Sequence, residues 1–490
     1  MGVCKESFFI HPSAPEKSNF PSIIYKGRGF MRKGIVLLLL LGTAISAFSA
    51  PKGFVYRSGR HFALNNKVFY FGGTNEANYL LLSNRTRVDN MATQCKAHNT
   101  IVLRVWAFGN GTGYTEPQWP GNGNSFQPTL GTFNDTAFRR IDYGLQKAGA
   151  NGIRLIVVLV NNWANWYHGE MQWYVDKRVG AGQAKSLFYT NASVKQDFKN
   201  YINYVVNRTN SLTGVKYMND SAIFSWELCN EPRNTGAGDG TAEYNWVNEI
   251  AAYIKSIDPN HMVATGEEGG GTMGSINPAA SADGADFSRN TGCSSIDWAC
   301  VHLYPTHWNG GFTSLSATYT YLNNRLTIAH NLNKPVALEE FGLDVASWAG
   351  ATREANYSAW LRQIMSYDYD GFNVWQMSDV KTSPNPTVEE TAWDIDFSSS
   401  AADTISKYAA AQNAKSGQVI NPSALLSLSS TRENLIAGAA MNKNGPPIFY
   451  TICGSRIHPT KKNALPPGLY LNATIDGRVQ VFSSIGLATK

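Results

Sequence analysis

Short apolar runs alternate with segments of helical periodicity along most of this 490-residue chain. Several runs, such as residues 154–160, are apolar at successive positions, which is typical of strands that are buried on both faces. Other segments, such as residues 136–150, repeat apolar side chains every three or four positions, as an amphipathic helix does. The pattern predicts strands at residues 68–71, 101–106, 154–160, 222–228, 262–265, 300–304, 336–338 and 371–375. It predicts helices at residues 88–98, 136–150, 193–207, 244–257, 315–331, 352–367 and 401–415.

This alternation favours an α/β fold with a parallel sheet. Eight strand–helix units over roughly 350 residues match a (β/α)8 TIM barrel with long loops on the catalytic face. The alternative is an open, doubly wound sheet, which usually carries a Gly-rich phosphate-binding turn after its first strand. Here the first predicted strand runs into Gly72-Gly73-Thr74-Asn75 without a GxGxxG motif, so we predict the barrel.

The N-terminal region has the plan of a secretory signal peptide. Met31-Arg32-Lys33 is basic, residues 35–41 are apolar but too few to span a bilayer, and small residues lead to a cleavage site near residues 47–50. We therefore predict a doubtful upstream extension (1–30), a signal peptide (31–50), a barrel catalytic domain (51–415) and a C-terminal extension of unknown role (416–490). We expect the mature protein to be secreted, extracellular and free of the membrane.

Composition narrows the possible functions further. The net charge is +6, but the basic residues are scattered, which argues against nucleic-acid binding. The six cysteines fit no zinc pattern, although Cys293 and Cys300 are close enough for a local disulfide. We expect no metal, no cofactor and a monomer. Asn-X-Ser/Thr sequons, which are compatible with secretion, occur at Asn84, Asn110, Asn134, Asn191, Asn207, Asn219, Asn356 and Asn472.

Polar and aromatic residues stand at the ends of the predicted strands, where a (β/α)8 barrel builds its active site. Two different strands end in carboxylates, Glu231 and Glu340, and others end in arginine, histidine, tyrosine, amides and tryptophans. Each residue alone is more often structural, but their occurrence together at strand ends favours a site. Cleavage of a glycosidic bond requires a proton for the leaving oxygen and a carboxylate that faces the sugar carbon. The inventory therefore favours glycoside hydrolysis.

The two carboxyl groups must differ in pKa for this chemistry. A carboxyl beside Arg104 and a tyrosine hydroxyl stays ionised and can attack the sugar, because both neighbours stabilise the charge. A carboxyl that lacks such partners and faces a negative neighbour keeps its proton. We expect this second environment around the proton donor.

Four motifs resemble glycoside hydrolase family 5, from about residue 53 to residue 415. They are Asn230-Glu231-Pro232, His302-Leu303-Tyr304, Glu340-Phe341-Gly342 and Trp375. Further stretches are similar to the endo-β-1,4-mannanases typical of fungi. These are Phe71-Gly72-Gly73-Thr74-Asn75, Arg104-Val105-Trp106-Ala107-Phe108, Val160-Asn161-Asn162-Trp163 and Trp226-Glu227-Leu228-Cys229-Asn230-Glu231-Pro232-Arg233.

The resemblance implies a retaining hydrolase of β-1,4-mannosidic bonds in mannan, galactomannan and glucomannan. Glu231 would be the acid/base and Glu340 the nucleophile, and Arg104 and Tyr304 would hydrogen-bond Glu340. Glu339 would point the other way if its strand continued regularly, so it is not chosen. In a retaining enzyme the two carboxyl groups should lie about 5–5.5 Å apart.

The resemblance also implies contacts with the sugar. Asn230 would bind the 2-hydroxyl, His302 would orient groups near the acid/base, and Trp375 would form the floor of the cleavage subsite. Trp163 and Arg233 would lie on the leaving-group side. The full predicted substrate-binding set is Arg104, Trp106, Asn162, Trp163, Asn230, Arg233, His302, Tyr304 and Trp375.

Two alternatives remain open at this point. One is another β-glycanase of the same family, acting on cellulose or β-1,3-glucan; Asn161-Asn162-Trp163 favours mannan because the glucan enzymes more often place His first. The other is a non-catalytic carbohydrate-binding barrel, which the intact carboxylates Glu231 and Glu340 disfavour. Cys229 departs from the Gly or Ala of many fungal relatives, either as a buried thiol or as half of a disulfide.

Overall fold

The structure is a computed structural model that describes residues 51–490 apart from twelve gaps. These are residues 112–124, 164–169, 235–238, 271–283, 309–311, 345–346, 379–392, 418–448, 452–455, 458–467, 474–478 and 485–490. Side chains are described as far as residue 417. The predicted signal peptide and the extension before it lie outside the described residues.

A three-stranded antiparallel sheet precedes the main domain. It consists of β1 (Val55–Ser58), β2 (His61–Leu64) and β3 (Lys67–Phe69), in that order. The sequence pattern placed a single strand at residues 68–71, and this prediction was wrong. The chain leaves the small sheet after Phe69, and at Phe71 its amide donates instead to Asp370 O (3.0 Å), so the run is divided between two sheets.

Eight parallel strands form the main sheet and match a (β/α)8 barrel. They are β4 (Phe71–Asn75), β5 (Val102–Trp106), β6 (Arg154–Val158), β7 (Ile223–Glu227), β8 (Met262–Ala264), β9 (Ala299–Leu303), β10 (Val336–Phe341) and β13 (Gly371–Val374). Between β10 and β13, the strands β11 (Ser347–Trp348) and β12 (Ala351–Thr352) form a separate short pair. The order is β8-β7-β6-β5-β4-β13-β10-β9. Amides of Asp297 and His302 donate across the remaining gap to Val263 O (2.8 Å) and Glu268 O (2.9 Å). The barrel prediction is confirmed.

Ten helices surround this sheet among the described residues. They are α1 (Arg85–Ala97), α2 (Asp135–Ala150), α3 (Met171–Val179), α4 (Leu187–Thr190), α5 (Ala192–Asn207), α6 (Thr241–Ile257), α7 (Phe287–Gly292), α8 (Leu315–Asn331), α9 (Arg353–Tyr367) and α10 (Ser400–Ala414). All seven predicted helices are present within a few residues of their predicted bounds. Asn84, Asn134 and Asn191 accept backbone amides at the starts of α1, α2 and α5, so three of the sequons also serve as helix caps.

The lower core fills the end of the barrel where the strands begin. It consists of apolar side chains from the barrel strands, from Trp298 just before β9 and from β1 to β3: Val55, Phe62, Phe69, Phe71, Val102, Ile156, Phe224, Met262, Ala264, Trp298, Cys300 and Ala337. The ring of Phe224 lies 5.0 Å from that of Phe62, 5.4 Å from that of Phe71 and 6.0 Å from that of Trp298. Burial of these rings closes this end of the barrel and stabilises the fold.

The remaining strands were not predicted from the sequence. β14 (Met377–Ser378) and β15 (Ile395–Asp396) form a short parallel pair after β13. In the C-terminal extension, the described segments include a four-stranded antiparallel sheet. Its strands are β16 (Phe449–Thr451), β17 (Arg456–Ile457), β18 (Gly468–Ala473) and β19 (Val479–Ser484), in the order β17-β16-β18-β19.

The four described cysteines are free, buried thiols: Cys95, Cys229, Cys293 and Cys300. The prediction of a local disulfide between Cys293 and Cys300 was therefore wrong. Cys229 is a buried thiol and not half of a disulfide. Cys4 and Cys453 lie outside the described residues. Among the described helices, none is both long and apolar enough to cross a membrane.

Candidate active site

Arg104 occupies the centre of the barrel, halfway along β5, and has no exposed surface. Its Nε donates to Glu227 Oε2 (2.9 Å), and one terminal nitrogen bonds Glu227 again and Asn230 Oδ1 (3.0 Å). The other terminal nitrogen bonds Glu340 and Asn75 Oδ1 (3.2 Å). Nε and both terminal nitrogens thus have acceptors, so the guanidinium is held in one orientation.

Glu340 projects into the barrel from β10 and receives two strong donors. One carboxylate oxygen accepts from Arg104, and the other accepts from the Tyr304 hydroxyl at 2.7 Å. These are the two partners that the resemblance implied. Glu339 was expected to face away, which is wrong: the pairing of β10 with β9 shifts between Leu338 and Glu340, so the strand does not continue regularly. Glu339 therefore also lies inside the barrel.

Glu231 follows β7 in an uncommon backbone conformation, with φ of +48°. This left-handed region is unfavourable for a residue with a side chain and is often found at functional sites. Its amide donates to Gly266 O at 2.8 Å. Gly266 itself has φ of +76°, and a Cβ there would overlap Cys229 O and the Glu227 carboxyl. The chain after β8 thus passes close enough to support Glu231 only because residue 266 is glycine.

Both oxygens of Glu231 are engaged by neighbours. His302 Nδ1 lies 2.8 Å from Oε1, and the Trp163 indole donates to Oε2 at 2.7 Å. Burial favours the neutral acid, but the hydrogen bond and charge of His302, the charge of Arg233 and the Trp163 bond outweigh it and lower the pKa of Glu231 to about 2. The expectation that the proton donor lacks stabilising partners was wrong, because Trp163 and His302 both lie within hydrogen-bond distance of this carboxyl.

The surroundings of His302 instead favour the protonated form of its imidazole ring. Burial disfavours its charge, but Glu340, Glu231 and Glu339 surround the ring and raise the pKa of His302 well above the ordinary value. Nδ1 lies 3.6 Å from Glu340 Oε2, and Nε2 lies 3.4 Å from Glu339 Oε2. Burial raises the pKa of Glu340 against the opposing charges of His302 and Arg104. His302 is therefore an imidazolium between carboxyl groups, poised to exchange a proton with Glu231.

The carboxyl groups of Glu231 and Glu340 are close together. One oxygen of each, together with a nitrogen of His302, lie within 4.8 Å of one another. These donor atoms could hold a metal ion, but hydrogen bonds among themselves and from Tyr304 already satisfy them. Such a short approach of two oxygens fits carboxyl groups placed about 5–5.5 Å apart, as in retaining glycosidases, and not the roughly 6.5–9.5 Å of inverting ones.

Aromatic rings line one side of the site. Trp375, at the end of β13, is partly exposed, and its ring lies 5.8 Å from that of Trp106. Trp106 has no exposed surface and packs between Arg104, 4.7 Å from its ring, and Phe108. Trp106 therefore packs against Trp375 and supports it, and its own contact with the substrate stays a prediction. The peptide bond between Trp375 and Gln376 is cis.

Arg233 and Trp163 lie together beside Glu231, as predicted. The guanidinium of Arg233 stands 4.9 Å from the centre of the Trp163 ring, a cation–π arrangement. Glu268 fixes it through two hydrogen bonds of 2.6 Å each. Burial and the charge of Glu231 raise the pKa of Glu268 to about 7, although Arg233 opposes this.

Of the two amide side chains after β6, that of Asn161 rather than that of Asn162 contacts the side chain of the predicted sugar ligand Asn230. Asn230 Nδ2 donates to Asn161 Oδ1 at 3.1 Å. Asn162 is almost fully buried and its Oδ1 accepts from Lys185 Nζ at 2.5 Å. The side chain of Asn162 is thus directed to Lys185, while its backbone amide donates to Asn230 O (3.1 Å). Its contact with the substrate stays a prediction.

Five residues of the site escaped the sequence analysis. Glu227 and Glu339 are carboxylates inside apolar strands, which is itself a signal, since buried carboxylates are rare without partners. Asn75 and Asn161 end strands at the same face and had been read only as motif residues. Glu268 follows a predicted strand by three residues, so its position depended on the loop path. We call Arg104, Glu227, Glu231, His302, Glu339 and Glu340 the charged cluster.

Comparisons with known proteins agree with this geometry. The family model described as GH family 5 beta-mannosidase-like matches residues 51–376. The chain is 34% identical over 333 residues to mannan endo-1,4-beta-mannosidase 4 of Solanum lycopersicum, covering 64% of this chain and 80% of that protein. It is 36% identical over 306 residues to mannan endo-1,4-beta-mannosidase A of Aspergillus aculeatus, covering 60% and 75%.

A solved structure is similar over nearly its whole length. The endo-1,4-beta-mannanase from Rhizomucor miehei superposes with a TM-score of 0.63 at 34% identity. The match covers 73% of this chain and 99% of that one.

Proposed function

The chain belongs to glycoside hydrolase family 5, in its β-mannosidase-like group, and from this premise we propose that it hydrolyses internal β-1,4-mannosidic bonds with retention of configuration. The observation that carries the proposal is the pair Glu231 and Glu340, whose oxygens lie within 4.8 Å. The names of the curated relatives support mannan as the substrate. We propose galactomannan and glucomannan as further substrates, because they contain the same β-1,4-mannosidic bond.

In the first step, the Glu340 carboxylate attacks the anomeric carbon as the bond to the leaving oxygen breaks. Arg104 and Tyr304 hold this carboxylate through one oxygen each, so that its lone pairs are oriented before the sugar arrives. The product of the step is a glycosyl ester of Glu340. Trp375 would form the floor beneath the reacting sugar and Asn230 would bind its 2-hydroxyl.

Glu231 delivers the proton to the leaving oxygen. In the resting site this proton resides on His302 Nδ1, 2.8 Å from Glu231 Oε1, and it passes to Glu231 as the bond breaks. In the second step the Glu231 carboxylate removes a proton from water, which attacks the ester carbon and releases Glu340. The proton then returns to His302, and the site regains its starting state.

The test is reducing-sugar release from galactomannan by protein that starts near Ala50. Glu231→Ala and Glu340→Ala should each lose activity, whereas Glu249→Ala, the same change on outer helix α6, should keep it. Azide assigns the roles: it should restore Glu231→Ala with a β-glycosyl azide and Glu340→Ala with the α-anomer. Nuclear magnetic resonance of the first product should show the β-anomer, and an initial α-product would contradict retention.

A panel of mannan, glucomannan and carboxymethyl cellulose tests the substrate. Mannan-type substrates should be cleaved fastest, with mixed oligosaccharides from the first minutes because the attack is internal. Release from a β-glucan but not from mannan would retain the reaction and overturn the substrate. Equal rates on all three would also contradict the mannanase proposal.

We further propose that the protein is secreted, N-glycosylated and monomeric. Among the described sequons, Asn84 and Asn219 are exposed and Asn134, Asn191 and Asn207 are partly exposed, so these are the glycan positions. Asn110 and Asn356 are fully buried and should stay unmodified. Intact mass before and after glycan removal, with light scattering for the molecular mass, would test this; glycan at Asn356 in folded protein would contradict it.

A further inference from the structure

The charged cluster has more carboxyl groups than cations to balance them. Glu227, Glu231, Glu339 and Glu340 are each at most 9% exposed, and so are Arg104 and His302. With every group ionised, four negative charges would face two positive ones inside the barrel. Uncompensated buried charge is costly, and closely spaced carboxylates relieve it by retaining protons.

The geometry points to one pair in particular. Glu227 and Glu339 lie on the same side of Arg104: Nε donates to Glu227 at 2.9 Å and is 3.6 Å from Glu339 Oε1. Because both approach the same nitrogen, the two carboxyl groups are neighbours, and each shifts the pKa of the other. Within the described part of the chain, Glu339 Oε1 receives no hydrogen bond. A buried carboxylate oxygen without a donor, next to a second carboxyl, is satisfied when that carboxyl carries a proton.

We propose that Glu227 and Glu339 share one proton and act together as a single negative charge that positions Arg104 and His302. The shared proton satisfies Glu339 Oε1, while Glu339 Oε2 faces His302 Nε2 at 3.4 Å. His302 then presents Nδ1 to Glu231, and Arg104 keeps a terminal nitrogen for Glu340. Glu227 and Glu339 are positioning residues, because they act on the reacting carboxyls only through Arg104 and His302.

The pKa directions agree with this arrangement. Burial and the neighbouring Glu339 raise the pKa of Glu227 well above its usual range, although Arg104 opposes them. Arg104 and His302 outweigh burial and lower the pKa of Glu339. Besides these two cations, the titratable groups around the pair are Glu340, Cys300 and Cys229, and burial raises the pKa of both thiols. A raised pKa on one carboxyl and a lowered pKa on its neighbour are the directions expected of a pair that holds one proton.

A double-mutant cycle tests the sharing, and it rests on the hydrolytic activity proposed above. Glu227→Gln and Glu339→Gln each replace one carboxyl by a neutral group that can donate to the other, so the pair keeps one charge. We expect each single variant to lower kcat/KM by less than about tenfold and the double variant by more than about a thousandfold. If both groups are ionised instead, each variant removes one charge and the effects multiply, which would overturn the proposal.

The pH profile provides a readout that simple loss of stability would not move. Under sharing, either single variant leaves both limbs of kcat/KM within about 0.3 pH units of wild type. Loss of a full charge next to Arg104 and His302 would instead favour the ionised forms of Glu231 and Glu340 and move both limbs to lower pH by about one unit or more. Asp142→Asn, a buried carboxyl on α2, is the matched control and should change stability alone.

Infrared spectroscopy tests the proton without using activity. Because Glu268 also has a pKa of about 7, the spectra are compared as differences at a pH above that value. Wild type minus either single Gln variant should show the C=O band of a buried protonated carboxyl. Absence of this difference band for either variant would refute sharing. Because this measurement needs no substrate, a protein that failed on mannan would overturn the proposed function while the proton-sharing question was still answered.

Discussion

The two ends of the barrel interior solve the problem of burial in opposite ways. The lower core excludes water with apolar side chains, among them the rings of Phe62, Phe71, Phe224 and Trp298. The charged cluster, only a few residues further along the same strands, is equally buried but consists of ionisable groups. On β5, Val102 belongs to the first region and Arg104 to the second.

The comparison shows that two equally buried regions can serve different purposes, one the stability of the fold and the other the geometry of the site. Apolar packing in the lower core is non-directional and tolerates approximate fits, because its free energy follows buried area. The charged cluster depends on each hydrogen bond, since one missing partner leaves a buried charge uncompensated. The lower core therefore holds the barrel closed, and the charged cluster uses that rigidity to fix the reacting carboxyls.

The largest effect is expected at the centre of the charged cluster. Arg104→Met removes every donor to Glu227 and weakens the hold on Glu340, so kcat/KM should fall at least about a thousandfold and unfolding free energy by about 3–5 kcal/mol. Kinetics and chemical denaturation would measure both. Arg104→Lys, which keeps the charge but not the fork, should recover stability more than rate. If Arg104→Lys recovered the rate and not the stability, this prediction for the charged cluster would be wrong.

In the lower core, Phe224→Ala should affect stability and not chemistry. Loss of the ring leaves a cavity between Phe62, Phe71 and Trp298, and should lower the unfolding free energy by about 3–5 kcal/mol. The folded fraction should keep a kcat within about twofold of wild type. Phe224→Leu is the matched control with a smaller cavity. A large drop in kcat with normal stability would erase the distinction between the two ends.

Tyr304→Phe sharpens the comparison by removing one hydroxyl group that donates to the charged cluster. Its hydroxyl donates to Glu340 at 2.7 Å, a charge-assisted bond whose loss should lower kcat about 10- to 100-fold. The melting temperature should change little, because the ring still packs edge-on against Trp393, with centroids 5.0 Å apart. Tyr357→Phe, with a buried hydroxyl outside the cluster, is the control. Equal kinetics in both variants would contradict the role of Tyr304.

The smallest expected effect concerns pH. Glu340 must be ionised to attack, and burial raises its pKa, so activity should fall as the pH drops through a value above the ordinary 4.5 of glutamate. The acidic limb of kcat/KM should therefore lie above pH 4.5 in wild type. It should move further up in Tyr304→Phe, since the hydroxyl favours the ionised form. An acidic limb below pH 4 would contradict the raised pKa.

The fold followed from the sequence because apolar periodicity reports burial directly. Runs such as residues 154–160 and helices such as α8, predicted with identical bounds, needed no tertiary information. The division of residues 68–71 between two sheets was missed because both segments are apolar and only tertiary pairing separates them. The small strands β14 and β15 were too short to produce a pattern.

The candidate site could be predicted from the sequence only in part. Strand-end motifs identified Glu231, Glu340, Tyr304 and Arg233, since chemistry in this fold is concentrated there. The position of Glu339 depends on a shift in the pairing of β9 with β10, which cannot be predicted from the residue types of the two strands. Trp106 and Asn162 were assigned by motif alone, and their burial depended on side-chain packing.

The left-handed backbone of Glu231 lowers the thermal stability of the fold at a residue that catalysis requires. A residue with a Cβ at φ of +48° raises the free energy of the folded state by about 1–3 kcal/mol. Glycine has no such penalty, so Glu231→Gly should melt later than Glu231→Ala although both are inactive. Directed evolution that selects for heat resistance alone would therefore favour the inactive Gly variant, and any selection of this enzyme must score catalysis at the same time.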